Sequence, residues 1–593
     1  MTRQIYSFNR QTWLFAFLLC SFISSCGGGG NSMSGRPDES ISSSSSLPAQ
    51  EKLYLISSSP VSQSADVDRN TPLDLFFNKE LKHSSITPEK VMLQDEAGNN
   101  VPVAIEAIAN KLTLSPLQRL ARGTQYSVKV VGLQGQSGEA LTDGKLLSFN
   151  TTIQREWGSA FQVDSTNNAS KPHATIDGNG NAILVWQQNT VVYASIGYST
   201  YSRGVGWATP GVLPSVSYEM KEVKVAYVDN RHAVAVWRLG GCKQGAIASA
   251  YTIGVGWDAP REIGPSTTDR CVVWSNETIS LSSNRAGKAI VAYNNSGAVY
   301  SPARDYYISS DSIFSSTYLV GEGWKPAQVV SHMDESEDVP NGYETPNVFM
   351  NNRGDAFLSF VRSYGDYGTG HTYHIELHQH TTGDLWRWGL PGSPIENNKG
   401  YLSPTVVVDE RGDATFIWRV PEQWHGDRRI FAQRVSASLE AGPKKDITEG
   451  TGAAYGSAIA IDSGGNVSVT WLHYSEEGTY RMYMNRYLSL SGSWEGPEGV
   501  AMNANYANSE SLQIAADKDG NVVVVWLQKD DAKTNVYSRR YLTGSGWEDA
   551  RLHSNVDGDA YNPLLALGPD GDSIISWESR GPMFSKIFVT MFD

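Results

Sequence analysis

The chain has few cysteines and no excess of positive charge. Four of its 593 residues are cysteine, and 48 Lys and Arg stand against 62 Asp and Glu, which gives a formal net charge of −14. A surface that binds nucleic acid needs at least a basic patch or stripe. We therefore expect no nucleic-acid partner. The apolar run Trp13–Phe22 is too short to span a bilayer.

The start of the chain has the features of a targeting segment. Arg3 and Arg10 precede the short apolar run, and Ile23-Ser24-Ser25-Cys26 follows it. This stretch resembles the lipobox of bacterial lipoproteins. The resemblance implies that residues 1–25 are a signal peptide, that cleavage occurs before Cys26, and that Cys26 is then lipidated. Several acyl chains would give stable membrane anchoring; the alternative is an ordinary secretory signal.

The residues around and after Cys26 predict an outer-membrane location and a flexible tether. Gly at position 27, where Asp would favour retention in the inner membrane, favours the outer membrane, at its periplasmic face or at the cell surface. Residues 26–51 are rich in Gly and Ser and are predicted to be a flexible tether after the lipidated cysteine.

Residues 52–153 contain short apolar strands with turn signals between them, which predicts a β-sandwich. The strands are LDLFF from Leu73, KLTLSP from Lys111 and QYSVKVV from Gln125. With Pro60 and the closing LLSFNTT from Leu146, this stretch resembles the bacterial Ig-like domain of S-layer and surface proteins. The resemblance implies a spacer or stalk, so we assign it no site.

Residues 154–593 contain one ten-residue pattern eight times. The copies start 51 to 67 residues apart, and self-similarity at such a period indicates a repeat architecture. The copies are DGNGNAILVW from Asp177, VDNRHAVAVW from Val228, NRAGKAIVAY from Asn284, NNRGDAFLSF from Asn351, DERGDATFIW from Asp409, DSGGNVSVTW from Asp462, DKDGNVVVVW from Asp517 and GPDGDSIISW from Gly568.

Each copy predicts four short antiparallel strands. An apolar strand leads into a Gly/Asn/Asp turn, a second strand ends in a large aromatic residue, and a third strand is rich in Tyr and Ser. A Gly-x-Gly-Trp turn then opens a fourth strand, as at Trp207 or Trp547. Four such strands make one blade of a β-propeller. The fold class is therefore all-β, an Ig-like sandwich followed by a propeller.

The last copy ends before its fourth strand, and the missing strand precedes the first copy as REWGSAFQV from Arg155. This predicts an eight-bladed propeller closed by an N-terminal strand, with no free sheet edge. The architecture resembles that of sialidase-like repeat proteins. Their S-x-D-x-G-x-T-W boxes join strands three and four, whereas the Asp/Gly turns here join strands one and two, so the resemblance is architectural only.

Two cysteines remain after the targeting segment, Cys242 and Cys271, in a compartment predicted to be oxidising. Cys242 falls between the second and third strands of blade two, and Cys271 in the connection from blade two to blade three. Because these two classes of loop share one face of a propeller, we expect a disulfide that staples the loops.

The variable loops of that face hold the candidate binding residues. They include Ser331–Thr345, Arg362–Thr372, Val420–Arg429 and His473–Thr479. Blades three to five carry flat aromatic side chains beside hydrogen-bond donors, the chemistry that stacks on sugar rings. The candidates for ligand binding are Tyr364, Asp366, Tyr367, Trp424, His425 and Arg428. The alternative is that these are loop aromatics folded back onto the blades.

HTYHIELHQH, from His371, is a candidate metal site. On a strand it would place His374, Glu376, His378 and His380 on one face, and His-x-His can present two imidazoles to zinc. Neighbours on a flat strand diverge, so the favoured alternative is a solvated polar face. The Asp/Asn/Gly turns lack the ligand count of calcium loops, and hairpin chemistry explains them better.

These features favour a membrane-anchored extracytoplasmic binding protein that recognises a glycan or an envelope protein. The alternative is a glycan-active enzyme, either a sialidase-like glycoside hydrolase or a polysaccharide lyase. A quinone-dependent dehydrogenase is disfavoured because its A-x-D-x-x-T-G-K-x-x-W core is missing from the sequence. We expect no cofactor.

Overall fold

The computed structural model describes most of the chain from residue 52 onward. It covers residues 52–593 apart from 70, 118–119, 153–154, 190–193, 214–219, 240–244, 265–277, 296–297, 302–305, 310–311, 333–341, 367–369, 381–384, 389–403, 421–427, 451–452, 475–479, 505–510 and 531–532. Among these residues there is no helix with the length and apolar character needed to cross a bilayer.

The first domain is a two-sheet β-sandwich. Its strands are β1 Leu55–Ser59, β2 Ser64–Val67, β3 Leu73–Phe77, β4 Val91–Gln94, β5 Asn100–Val101, β6 Val103–Ile108, β7 Lys111–Pro116, β8 Gln125–Val130 and β9 Gly144–Thr151, with a 3-10 turn at His83–Ser85. One sheet has the order β1-β3-β7-β6, and the other has the order β2-β9-β8-β4-β5. Alternate side chains of β3 are buried, and these inward faces form the core between the sheets.

The rest of the described chain forms successive antiparallel sheets, named here sheets 1 to 8 in chain order. Strand β10 is Phe161–Gln162. Sheet 1 contains β11 Ala169–Ile176, β12 Ala182–Asn189, β13 Ala194–Ser202, β14 Gly206–Trp207 and β15 Gly211–Leu213. Sheet 2 contains β16 Met220–Tyr227, β17 His232–Leu239, β18 Ala246–Thr252, β19 Gly256–Trp257 and β20 Arg261–Glu262. Sheet 3 contains β21 Ile279–Ser283, β22 Lys288–Asn295, β25 Ser312–Leu319, β26 Gly323–Trp324 and β27 Gln328–His332, with a side hairpin of β23 Ala298–Ser301 and β24 Tyr306–Ser309.

The remaining sheets repeat the arrangement. Sheet 4 contains β28 Gly342–Met350, β29 Ala356–Asp366, β30 Gly370–His380 and β31 Trp386–Trp388. Sheet 5 contains β32 Thr405–Val408, β33 Ala414–Val420, β34 Arg429–Val435 and β35 Lys445–Asp446. Sheet 6 contains β36 Ala453–Ile461, β37 Val467–Tyr474, β38 Tyr480–Leu488, β39 Ser493–Trp494 and β40 Glu498–Ala504. Sheet 7 contains β41 Gln513–Ala516, β42 Val522–Asp530, β43 Lys533–Leu542, β44 Gly546–Trp547 and β45 Arg551–Leu552. Sheet 8 contains β46 Asp559–Leu567, β47 Ser573–Gly581 and β48 Phe584–Phe592.

The pairing predicted for the split last repeat is confirmed. Strand β10 pairs antiparallel with β48, with Phe161 opposite Val589 and Gln162 opposite Phe588. Trp157 makes a further bridge to Phe592. The chain segment before sheet 1 therefore supplies the fourth strand of sheet 8.

The first residue of the repeated turn stabilises it by accepting hydrogen bonds from the residues that follow. Oδ1 of Asp517 accepts hydrogen bonds of 2.9 Å from the backbone N–H groups of Asp519 and Asn521, and Oδ2 accepts one of 2.9 Å from the Asn521 side chain. Gly520 has a φ of 80°, which favours glycine. In five other turns the first residue likewise accepts from the backbone of the fifth: Asp177, Asn284, Asn351, Asp409 and Asp462. Hairpin chemistry accounts for these turns, as predicted.

The aromatic residue of each second strand is buried against the preceding sheet. Trp237 lies in the core between sheets 1 and 2, Trp471 between sheets 5 and 6, and Trp577 between sheets 7 and 8. Trp186 of sheet 1 lies in the core shared with sheet 8. Opposite Trp186 stands Gly197, where a Cβ would come within 2.2 Å of the indole nitrogen. These aromatics are therefore the packing element of the repeat.

Neighbouring sheets pack in chain order, and sheet 8 packs on sheet 1. The first strands meet one another along the series, and β46 meets β11. Each neighbouring pair shares a buried apolar core, including the pair of sheets 8 and 1 through residues such as Ile587 and Ala174. The first strands of neighbouring sheets therefore lie next to one another along the whole series.

The fourth strand differs from the expectation in five sheets. In sheets 1, 2, 3, 6 and 7 two short segments, such as β14 and β15, both pair with the third strand. Pro210, Pro260, Pro326 and Pro497 follow the Trp in four of these sheets. Proline has no N–H to donate to the ladder, so the strand is interrupted there.

Candidate functional site

The two ends of the sheets differ in character. The turns between first and second strands and the Gly-x-Gly-Trp turns lie at one end, named here the turn face. Adjacent turns contact each other there, as where Asn230 Oδ1 accepts from the N–H of Gly178 at 2.9 Å. The loops between second and third strands and the connections between sheets lie at the other end, the loop face. The predicted binding segments belong to the loop face.

Several predicted site residues lie outside the described residues, and their roles stay predictions. They are Cys26, Cys242, Cys271, Tyr367, Trp424 and His425. Tyr364 and Asp366 lie in β29, where the backbone pairs with Thr372 and Gly370 of β30. Most of Arg362–Thr372 is therefore a β-hairpin and not the expected loop, because the ladder of β29 and β30 continues outward.

The histidine-rich strand β30 is buried, not solvated. His378 and His380 are each 7% exposed. His378 Nε2 lies 3.1 Å from Glu376 Oε2, and its ring stacks on Phe360 at 5.1 Å. The His380 ring packs on Trp386 at 5.0 Å. The expectation of a solvated polar face is therefore wrong, since Phe360 of β29 and Trp386 of β31 pack on the two imidazoles.

The same strand carries the candidate metal ligands. The described part of the chain holds no group of three or more His, Cys, Asp or Glu side chains placed around a metal ion. His374, His378 and His380 are all within that part. A metal site at His374, His378 and His380 stays a prediction, while Glu376 and Phe360 contact the ring of His378 and Trp386 contacts that of His380.

A cluster of aromatic side chains does occur on the loop face of sheet 6. It consists of three tyrosines, Tyr455, Tyr474 and Tyr480, together with Arg428, and is named here the tyrosine cluster. The rings of Tyr474 and Tyr480 are 4.8 Å apart, and that of Tyr455 is 6.3 Å from Tyr474 and 6.2 Å from Tyr480. Arg428 Cζ lies 4.5 Å from the centroid of the Tyr455 ring, within the range of a cation–π contact.

The backbone holds the four side chains of the cluster. Tyr474 ends β37 and pairs with Tyr480, which opens β38. The carbonyl of Arg428 accepts a hydrogen bond of 2.7 Å from the N–H of Ala454, beside Tyr455. Sheets 5 and 6 thus meet at the cluster.

The cluster combines exposed and buried aromatic surface. Tyr474 is 42% exposed, whereas Tyr455 and Tyr480 are half-buried and pack against the core of sheets 6 and 7. Burial raises the pKa of Tyr480, and the phenols of Tyr455 and Tyr474 raise it further. Arg428 opposes that shift. The raised pKa keeps Tyr480 a neutral phenol near neutral pH.

Residues 49–151 match the family model of the bacterial Ig-like domain. An S-layer protein from Geobacillus stearothermophilus is 32% identical over 97 residues, which are 15% of this chain and 8% of that protein. The chain thus spans less than a tenth of the length of this curated relative. The matched residues coincide with the two-sheet sandwich, which confirms the resemblance seen in the sequence.

Solved structures with a similar arrangement of strands include three carbohydrate-related proteins. The BP39L lectin from Burkholderia pseudomallei has a TM-score of 0.40 and 11% identity, over 66% of this chain and 100% of the lectin. The polysaccharide lyase Uly1 has a TM-score of 0.41 and 10% identity, over 74% and 99%. An endo-arabinase from Bacteroides thetaiotaomicron has a TM-score of 0.27 and 15% identity, over 42% and 92%. Because all three TM-scores are below 0.5, none of them supports an activity for this chain.

Arg428 is among the residues predicted from the sequence, whereas the three tyrosines of the cluster are not. Tyr474 lies in the predicted variable segment His473–Thr479, and Tyr480 follows it directly, so a Tyr at each end of one loop was the available signal. Tyr455 comes from another strand and has no local signal. Trp424 and His425 belong to residues 421–427, which end one position before Arg428.

Proposed function

We propose that sheets 1 to 8 form an eight-bladed β-propeller and that its loop face binds a glycan at the tyrosine cluster. The propeller is supported by the packing of every sheet on the next, the packing of sheet 8 on sheet 1, and the pairing of β10 with β48. Such closure leaves only short, protected sheet edges.

The observation that carries the binding function is the tyrosine cluster itself. Tyr474 presents an aromatic face to solvent, which suits the apolar face of a sugar ring. The phenol and guanidinium groups beside it can donate hydrogen bonds to sugar hydroxyls. Since strands of sheet 6 hold the three tyrosines and Arg428 directly precedes β34, little side-chain ordering is needed when the ligand binds.

A panel of soluble and immobilised polysaccharides tests this proposal with the full-length protein and two variants. Tyr474→Ala removes the exposed ring of the cluster. Tyr561→Ala is the matched control, because Tyr561 is 39% exposed, lies on the loop face of sheet 8 and also contacts an arginine, Arg580, at 4.4 Å. Both retention and release of soluble product are measured.

We expect the wild-type protein and Tyr561→Ala to be retained by the same glycan, and Tyr474→Ala to lose retention. Retention that survives in Tyr474→Ala would contradict the assignment of the site. Release of product would favour the alternative of a glycan-active enzyme. If no glycan retains the protein, an envelope protein becomes the better candidate partner, and the glycan proposal fails.

Membrane attachment through Cys26 is part of the same proposal and is supported by the lipobox-like Ile23-Ser24-Ser25-Cys26. It would place the propeller outside the cytoplasm, at the outer membrane. An alkyne fatty acid should label the full-length protein and not Cys26→Ala, which should move to the soluble fraction. Equal labelling of the two proteins would contradict lipidation at this residue.

A further inference from the structure

A cavity of about 430 Å³ lies among the first strands of the sheets. Its apolar wall comes from the first strands of sheets 2 to 8, for example Leu281, Phe349 and Ile514. Its polar rim comes from the turns at the ends of these strands. A volume of this order fits a small molecule.

Arg285 lies on the rim of this cavity. It belongs to the repeated turn of sheet 3 and has a φ of 53°, in the left-handed region that few non-glycine residues adopt. Its Nη2 donates a hydrogen bond of 3.2 Å to the carbonyl of Leu567 in sheet 8. Its side chain therefore reaches across from one sheet to another that does not neighbour it in the series.

One nitrogen of this guanidinium has no acceptor. Nη1 of Arg285 is buried and makes no hydrogen bond within the described residues. A buried donor without a partner is costly, and more so on a charged group. Burial lowers the pKa of Arg285, with the charge of Asp177 acting against that shift.

The carboxylates near Arg285 are already engaged. Asp177 accepts hydrogen bonds from Asn179 and Asn181 of its own turn. On the cavity lining, Asp517 is likewise held by its turn, as is Asp462.

The remaining charged groups of the lining have partners as well. Glu410 accepts a hydrogen bond of 2.7 Å from the side chain of Asn352. The cation Lys518 pairs with Asp519 at 3.2 Å and Asp570 at 3.7 Å. Arg285 is thus the lining residue with a free donor and a positive charge.

We propose that this cavity binds a small organic acid, whose carboxylate accepts a hydrogen bond from Nη1 of Arg285 while its apolar part contacts the first strands. Charge-assisted hydrogen bonds to carboxylates are among the stronger ones. The mixed lining favours a molecule with both an acidic group and a carbon skeleton over a bare inorganic anion. This site lies among the turn-face ends of the strands, away from the tyrosine cluster.

Titration calorimetry of the full-length protein with benzoate, at constant ionic strength, tests this site. Sodium sulfate serves as the inorganic anion. Arg285→Gly removes the guanidinium and suits the left-handed φ, so it is compatible with folding. Lys518→Ala is the matched control, because it removes an exposed cation of the same rim that already has acidic partners.

We expect benzoate to bind the wild-type protein and Lys518→Ala with affinities within about twofold of each other, and Arg285→Gly about tenfold or more weakly. Glycan retention by Arg285→Gly should be unchanged, which separates this inference from the function proposed above. Equal benzoate binding by Arg285→Gly, tighter binding of sulfate than of benzoate, or no binding of benzoate at millimolar concentration would overturn the proposal.

Discussion

His553 follows β45 and lies at the core between sheets 7 and 8. Its ring packs on Trp157 with centroids 4.6 Å apart, and its Nε2 is 2.7 Å from the hydroxyl oxygen of Ser538. Burial lowers the pKa of His553 to about 3, and the nearby charge of Arg551 adds to the effect. The imidazole is therefore neutral in the folded protein over most of the acidic range.

This burial predicts a loss of stability on mild acidification. Between pH 6.5 and pH 3 the unfolded chain binds a proton at this residue and the folded protein does not, so the free energy of unfolding falls as the pH falls. From pH 7 to pH 4.5 the expected loss from this group is roughly 2 to 3 kcal/mol. His553→Gln keeps a hydrogen-bonding group beside Ser538 and should lose that part of the pH dependence.

Thermal unfolding of both proteins at pH 7 and pH 4.5 measures this contribution. The melting temperature of the wild-type protein should fall further than that of His553→Gln. If both fall by the same amount, another group governs the acid response.

Individual residues also show what the sequence could reveal. The aromatic residue at the end of each second strand was located from the repeat alone, and Trp237, Trp471 and Trp577 are fully buried. The orientation of β30 was predicted only in part. His378 and Glu376 do share a face, but its burial depends on Phe360 and Trp386, which come from other strands.

The repeated turn is the element that orders each sheet. In sheet 7 the carboxylate of Asp517 accepts three hydrogen bonds, and Asn521 Oδ1 accepts a fourth from the N–H of Thr543 at the next turn. The turn thus joins the first hairpin of the sheet to its second. The periodic Gly, Asn and Asp residues were enough to predict it.

Asp517→Ala should destabilise the protein by about 1–3 kcal/mol, because it leaves the N–H groups of Asp519 and Asn521 without their acceptor. Asp519→Ala is the matched control from the same turn. Asp519 is exposed, and its carboxylate pairs with Lys518 at the surface, where ion pairs contribute little. Urea unfolding followed by Trp fluorescence gives the two midpoints, and equal shifts would contradict this account of the turn.

The fourth strand was harder to predict as an element. The Gly-x-Gly-Trp motif located its start correctly, as at β14 and β44. Its division into two segments follows from residues after the Trp, such as Pro210, and these do not repeat in every sheet. The sequence period therefore predicts the number of strands better than their continuity.

At the scale of the whole molecule, the Ig-like domain is joined to sheet 8 by a buried ion pair. The guanidinium of Arg69, fully buried, lies 2.6 Å from Asp593 Oδ2 and also donates to Asp593 Oδ1 and its backbone oxygen. Its Nε donates to the carbonyl of Leu120. The domain therefore contacts the sheets directly, in addition to any role as a spacer.

Arg69→Ala should destabilise the protein by roughly 3–5 kcal/mol, because it removes the guanidinium that pairs with the buried carboxylate of Asp593. Lys111→Ala removes an ion pair with Asp74 inside the Ig-like domain that is partly exposed, and it should cost at most about 1 kcal/mol. Limited proteolysis near residues 152–156 should be faster in Arg69→Ala alone. Equal rates in both variants would argue against the ion pair as the joint.

This joint was not predictable from the sequence. Arg69 and Asp593 are far apart in the chain, and neither belongs to a repeated motif. The order of the sheets was predictable, since the eight copies and the displaced fourth strand are local patterns. The tyrosine cluster combines both cases: Tyr474 and Tyr480 flank one loop, while Tyr455 and Arg428 arrive through packing.

The most direct measurement is a calorimetric titration with an oligosaccharide of the glycan that retains the wild-type protein. It is titrated into the wild-type protein, Arg428→Ala and Tyr561→Ala. Arg428→Ala should bind about tenfold or more weakly, because it removes the guanidinium that caps Tyr455 and can donate to sugar hydroxyls. Tyr561→Ala should bind within about twofold of the wild type. Wild-type affinity in Arg428→Ala would contradict glycan binding at the tyrosine cluster.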